Sequence, residues 1–188
     1  RSLLPRLESI LARSPKLAPA LLALARAQRA LNETALAAQA CRDAYRADPA
    51  SAPQVIKLCS EMIESEPKTA GPYLTLAEIY LADGEVPAAA EKLAQAASRT
   101  EGSHDEELAL LETIIAKDLG TARVAFLVGE VLARAGRHAA AAHAYRKALE
   151  REAGLLAPAL KGLTALGVKE ANLGKARLLR AEAFLTCQ

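Results

Sequence analysis

The chain repeats itself every 52 residues. Ala25, Ala77, Gly129 and Ala181 form one series at this spacing. Leu11, Ile63 and Ile115 form a second, Leu4, Ile56, Leu108 and Leu160 a third, and Ala37, Ala89 and Ala141 a fourth. A fixed period of this size marks a stacked array in which each unit buries its apolar face only against its neighbours. The expectation is one array with units at about 1–50, 51–102 and 103–154 and a partial unit at 155–188. The chain starts at Arg1 without Met and stops at Gln188, where earlier units carry the turn residues Asn32, Gly84 and Gly136. It is therefore expected to be a piece of a longer protein.

Within a unit the apolar pattern resolves into three helices. From Pro53 to Glu66, Val55, Ile56, Cys59, Met62 and Ile63 recur at spacings of three and four and line one helical face. Pro67 stops that helix, since proline cannot donate the next backbone hydrogen bond. A second helix is expected from Pro72 to Ala82, with Tyr73, Leu76, Ala77 and Tyr80 inward, and a third from Val86 to Ser98. The other units predict helices near 3–13, 18–31, 34–47, 104–117, 121–134 and 138–152, then 156–170 and 174–187. Their short connections require consecutive helices to pack antiparallel.

Composition supports an all-helical chain. Alanine makes up about a quarter of the residues, and alanine and leucine are the best helix formers. Small residues at Ala25/Ala77/Gly129 and Ala37/Ala89/Ala141 let helix backbones approach closely, and Tyr73, Tyr80 and Tyr145 fill the gaps around them. A formal net charge of +2 is too balanced to point to a nucleic-acid or membrane surface. No apolar run approaches the ~20 residues of a membrane span. Cys41, Cys59 and Cys187 read as small hydrophobes in a reducing compartment, and a cytoplasmic location is expected. The high Ala, Leu and Arg content is associated with GC-rich bacterial genomes.

The second and third helices of each unit resemble the tetratricopeptide repeat (TPR), a helix-turn-helix of ~34 residues. Unit two reads Tyr73-x2-Leu76-Ala77-x2-Tyr80, then Gly84, Ala89, Leu93 and Ala96. Unit three reads Ala125-x2-Val128-Gly129-x2-Leu132, then Gly136, Ala141, Tyr145 and Ala148, and unit one Leu21-x2-Leu24-Ala25, then Ala37, Cys41 and Ala44. The resemblance implies an all-α fold, a right-handed α-α superhelix or solenoid of TPR-like hairpins. It departs from the family in one respect, an extra helix between successive motifs. An odd number of helices per unit reverses the direction of successive motifs and interrupts the family's smooth groove.

The resemblance further implies a non-catalytic scaffold that holds a partner's peptide or helix along its concave face. Carried over motif by motif, the groove residues are Leu22, Arg26 and Arg29; Leu74, Glu78 and Leu81; Phe126, Glu130 and Arg134; and Glu182, with Leu178 and Leu185 beside it. The alternative is a structural spacer or self-assembly module, stacking through open repeat ends, of a larger enzymatic or regulatory repeat protein. No cofactor, metal, nucleic acid or catalytic residue is expected. His138 and His143 are five apart and lie on different helical faces, and no cysteine or carboxylate cluster completes a metal site with them. Gly162-x4-Gly167-Val168-Lys169 lacks the Ser or Thr and the preceding strand of a phosphate-binding loop.

Overall fold

Asn32, Gly84 and Gly136 all have positive φ, at 60°, 82° and 72°. Asparagine and glycine are the residues that tolerate this left-handed backbone. Each sits where one helix ends and the next must begin. The following amide reaches back five residues: Glu33 N–H donates to Gln28 O (3.0 Å), Glu85 to Tyr80 O (2.8 Å) and Arg137 to Leu132 O (2.9 Å). This capping satisfies carbonyls that the helix ends would otherwise leave open. The same turn therefore closes three hairpins at the 52-residue spacing.

The computed structural model describes residues 3–117, 121–152, 158 and 161–162, and these are all-helical, with no strand among them. The hairpins are α2 (Ala18–Ala30) with α3 (Thr34–Ala47), α5 (Gly71–Ala82) with α6 (Val86–Ala97), and α8 (Ala122–Arg134) with α9 (His138–Arg151). The extra helix of each unit is α1 (Leu3–Arg13), α4 (Ala52–Ser65) or α7 (Asp105–Lys117). Prolines occupy the first turn of α2, α4, α5 and α6, where a missing N–H costs nothing. The expected helices of the fourth unit, with Ala181, Glu182 and Cys187, lie outside the described residues apart from 158 and 161–162.

The extra helices do not hold the hairpins apart. The second helix of each hairpin packs directly on the first helix of the next, α3 on α5 and α6 on α8. α4 lies against α2, α3 and α5, and α7 against α5, α6 and α8. Direction follows from the contacts. Ala38 meets Gly71 and Thr75, while Arg46 meets Glu78, so α3 and α5 run the same way. Arg26 meets Gln54 and Arg29 meets Glu61, so α2 and α4 also run the same way. Helix direction thus alternates, as three helices per unit require. α5 ends up central, in contact with α3, α4, α6 and α7, and eight of its residues are buried.

Close approach is confined to the small positions. Ala37, Ala89 and Ala141 are fully buried, as is Ala77. Sixteen residues after each member of the Ala25/Ala77/Gly129 series stands a buried residue of growing size: Cys41, Leu93 and Tyr145. Only opposite the tyrosine is the small partner a glycine. A Cβ on Gly129 would lie 2.6 Å from the Tyr145 ring, and one on Gly162 would lie 2.8 Å from its other end. The ring is held from both sides.

Of the face expected for α4, Val55, Cys59 and Met62 are buried, while Ile56 and Ile63 are half-buried. The series at the centre of the contact is Leu7/Cys59/Leu111, and Leu11/Ile63/Ile115 lies beside it: Ile63 is half-buried and Ile115 exposed, whereas Leu111 and Ile114 are buried. An apolar arc spaced by three and four shows which side of a helix faces inward but not where the contact is centred. Ile56 and Ile63 sit on its flank. No described helix is long and apolar enough to cross a membrane.

Gly129→Ala should destabilise the protein by about 1–3 kcal/mol through overpacking against Tyr145. In a Tyr145→Leu background, which reproduces the Ala77/Leu93 pair, the same change should become neutral or stabilising, since alanine exceeds glycine in helix propensity by ~1 kcal/mol. Urea denaturation of the four variants checks this; an unchanged cost in both backgrounds contradicts the packing.

Candidate functional site

Two clefts occupy equivalent places in successive units. The first, of about 180 Å³, is lined by Ala18, Pro19, Leu22, Arg26, Asp48, Ala50, Ser51 and Gln54. Adding 52 to Ala18, Pro19, Leu22, Asp48, Ser51 and Gln54 gives Ala70, Gly71, Leu74, Thr100, Ser103 and Glu106, all of which line the second, of about 340 Å³. Each cleft therefore lies between the start of a hairpin's first helix and the start of the extra helix that follows it. Its floor is a leucine of the first helix. The second cleft is larger because α3 of the preceding hairpin contributes Ala35, Gln39 and Arg42 to its wall.

The electrostatics differ between the two. In the second cleft the Arg42 side chain is only 6% exposed and spans three helices. Its Nη1 donates to Glu106 on α7 at 2.7 Å, and its Nε lies 4.0 Å from Glu78 on α5. Glu78 also accepts two bonds from Arg46, at 2.7 and 2.9 Å, a planar two-point pairing. Arg99 stacks on the Tyr73 ring at 4.2 Å and donates to the carbonyls of Pro67 and Gln95, both at 2.6 Å. The Glu107 side chain is 2% exposed; its carboxylate accepts from the Thr100 hydroxyl and lies 3.7 Å from His104 Nδ1. Glu107 occupies the position that Val55 fills in the preceding unit, so a carboxylate stands in an otherwise apolar series.

The nine described residues expected to line a groove fall into five environments. Leu22 and Leu74 floor the two clefts, and Arg26 walls the first, with its guanidinium on Gln54 (3.3 Å). Arg29 pairs with Glu61 of α4, and Glu78 with Arg46 and Arg42 of α3. Leu81 and Phe126 are buried in the core, Phe126 against Tyr145 with ring centroids 5.5 Å apart. Glu130 accepts from the Tyr145 hydroxyl at 2.8 Å, and Arg134 is exposed. Glu182 lies outside the described residues. The extra helices explain the arrangement: α4 lies across the face of α2 that a standard motif leaves open, and α7 lies on the corresponding α5.

Arg42, Arg46, Arg99, Glu106 and Glu107 had no place in the expected site. One signal was available for Glu107, the 52-residue register that sets it opposite Val55. Among the described residues no group of three or more His, Cys, Asp or Glu is placed to hold a metal ion. No protein-family model matches the chain, and no curated protein is significantly similar to it.

Glu78→Ala should cost about 2–4 kcal/mol, because it strips a counter-charge from the buried Arg42. Arg46→Ala should cost within about 1 kcal/mol, since Arg46 is half exposed. Equal losses in chemical denaturation would contradict this ranking. Burial, then the bond to Glu130, raises the Tyr145 phenol well above its ordinary value. The folded state keeps this proton where the unfolded chain releases it, so stability is full below pH ~10 and falls as pH rises beyond it. Tyr145→Phe should lessen that alkaline fall; an unaltered pH profile would contradict it.

Proposed function

We propose that the protein is a non-catalytic, TPR-like scaffold, a right-handed α-α solenoid that binds a peptide or helix of a protein partner. The observation that supports this reading most is the recurrence of one cleft, with a leucine floor and a polar rim, at equivalent positions of two units. Alternation of helix direction makes these two separate sites rather than one continuous groove. Each has room for one or two side chains. An apolar anchor would cover Leu22 or Leu74, while its flanking backbone and charges meet Gln54 and Arg26 in one site and Gln39, Arg42 and Glu106 in the other. Two weak anchors on one partner chain would reinforce each other through effective concentration.

A second reading, self-assembly or spacing, is favoured by a separate feature. Ile10, Leu17, Leu31 and Leu36 of the first unit are 42–55% exposed.

Peptides selected from a displayed library by the folded protein test the scaffold reading. Ala50→Tyr and Gln39→Tyr, both at exposed rim positions, would fill the first and second clefts. Each should weaken the selected peptides by about tenfold or more, and the double variant should abolish binding at unchanged melting temperature. Peptides held equally by wild type and double variant would rule out the clefts. A mass that rises with concentration, without peptide binding, would favour the assembly reading.

A further inference from the structure

Cys41 and Cys59 meet in the middle of the α3–α4 pair. Each stands nine residues from Ala50 in the connection between these helices, so an antiparallel pairing sets them opposite each other. Both are fully buried in one core cluster, with Ala38, Ala44, Val55 and Met62. α3 packs on α4, and the two thiols belong to the same side of that contact. The repeat makes the pairing informative. Positions equivalent to Cys41 hold Leu93 and Tyr145, and those equivalent to Cys59 hold Leu7 and Leu111, all buried. Among the described residues the α3–α4 contact alone has both large groups replaced, and both replacements are cysteine. Ala37, Ala38 and Ala44 keep α3 slim here, which favours the short Cα separation a disulfide requires.

We propose that Cys41 and Cys59 are an oxidisable pair that closes to a disulfide between α3 and α4 when exposed to a small-molecule disulfide. The neighbouring Cys59, and secondarily Arg26, hold the Cys41 thiol below its ordinary value, while Cys41 and then burial hold Cys59 above it. Cys41 is accordingly the attacking sulfur. During local opening of the α3–α4 pair its thiolate attacks one sulfur of the oxidant, breaking the S–S bond and releasing one thiolate. Cys59 then loses its proton and attacks the Cys41 sulfur, displacing the second thiolate. Two protons and two electrons leave the protein, and the oxidant becomes two thiols. The closed bond fixes α4 where it walls the first cleft.

The test uses the full chain carrying Cys187→Ser, incubated in native buffer with excess oxidised glutathione and then digested with trypsin. The expected product has lost about 2 Da, the two thiol hydrogens. It yields a cross-linked pair of the peptides Ala30–Arg42 and Leu58–Lys68 and melts roughly 5–10 °C above the reduced form. Dithiothreitol should reverse both changes, and Cys41→Ala or Cys59→Ala should abolish them. Glutathione adducts without the cross-linked pair would overturn the proposal, as would a cross-link that forms only in denaturant. The comparison of oxidised and reduced forms of the Cys187→Ser chain decides the matter even if Cys41→Ala or Cys59→Ala fails to fold.

Discussion

Two helices can share a closely spaced interface only where at least one presents a methyl group or a hydrogen, and this array is built on that constraint. Ala38 and Gly71 illustrate it: a Cβ on Gly71 would lie 2.9 Å from that of Ala38, so α5 approaches α3 with no room to spare. The hydroxyl of Thr75 follows one turn later, donating to its own helix at Gly71 O (3.0 Å) and lying within 3.4 Å of Ala38 O. With these backbones in contact, Arg46 and Arg42 reach Glu78, and Arg42 reaches Glu106. The ion-pair network therefore depends on the small-residue contact and does not create it. Apolar residues of similar volume would stabilise the core as well, but buried charges penalise any register in which they lose their partners.

The extra helix changes what the hairpin surface can do. In a two-helix repeat, the groove-lining face of each first helix remains open along the array. Here α4 covers that face of α2 through Arg26–Gln54 and Arg29–Glu61 and buries Leu22, while α7 lies on α5, where Leu74 and Leu81 are buried with Leu111 and Ile114. What stays open is the notch at the start of each extra helix. It persists because the chain must turn there: Pro49–Ser51 forms a short helical turn capped by Asp48, whose carboxylate accepts from the Ala50 amide at 3.0 Å.

Much of the fold is legible in the residues. The Asn32/Gly84/Gly136 turns, the prolines in first turns and the Ala25/Ala77/Gly129 series fix the helix order and bounds to within a residue or two for the described units. Each rests on a local rule, because positive φ, the lost N–H and close backbone approach depend on one or two side chains. The centre of the α4 and α7 contact was not legible, since Ile56 and Ile63 are as apolar as Leu58 and Met62 and only the neighbours decide which are covered. The clefts were legible only in part. Leu22, Arg26 and Leu74 could be named from one helix, but Arg42, Arg99 and Glu106 come together from three different elements at sequence separations no local pattern exposes.

The central position of α5 is the claim on which the arrangement turns, and amide hydrogen exchange measures it directly. Surrounded by α3, α4, α6 and α7, the amides of Leu76 to Leu81 should exchange more slowly than any in α1, which packs chiefly on α2. Exchange in α5 as fast as in α1 would mean that the extra helices do not enclose it, and the stacked three-helix arrangement would be contradicted.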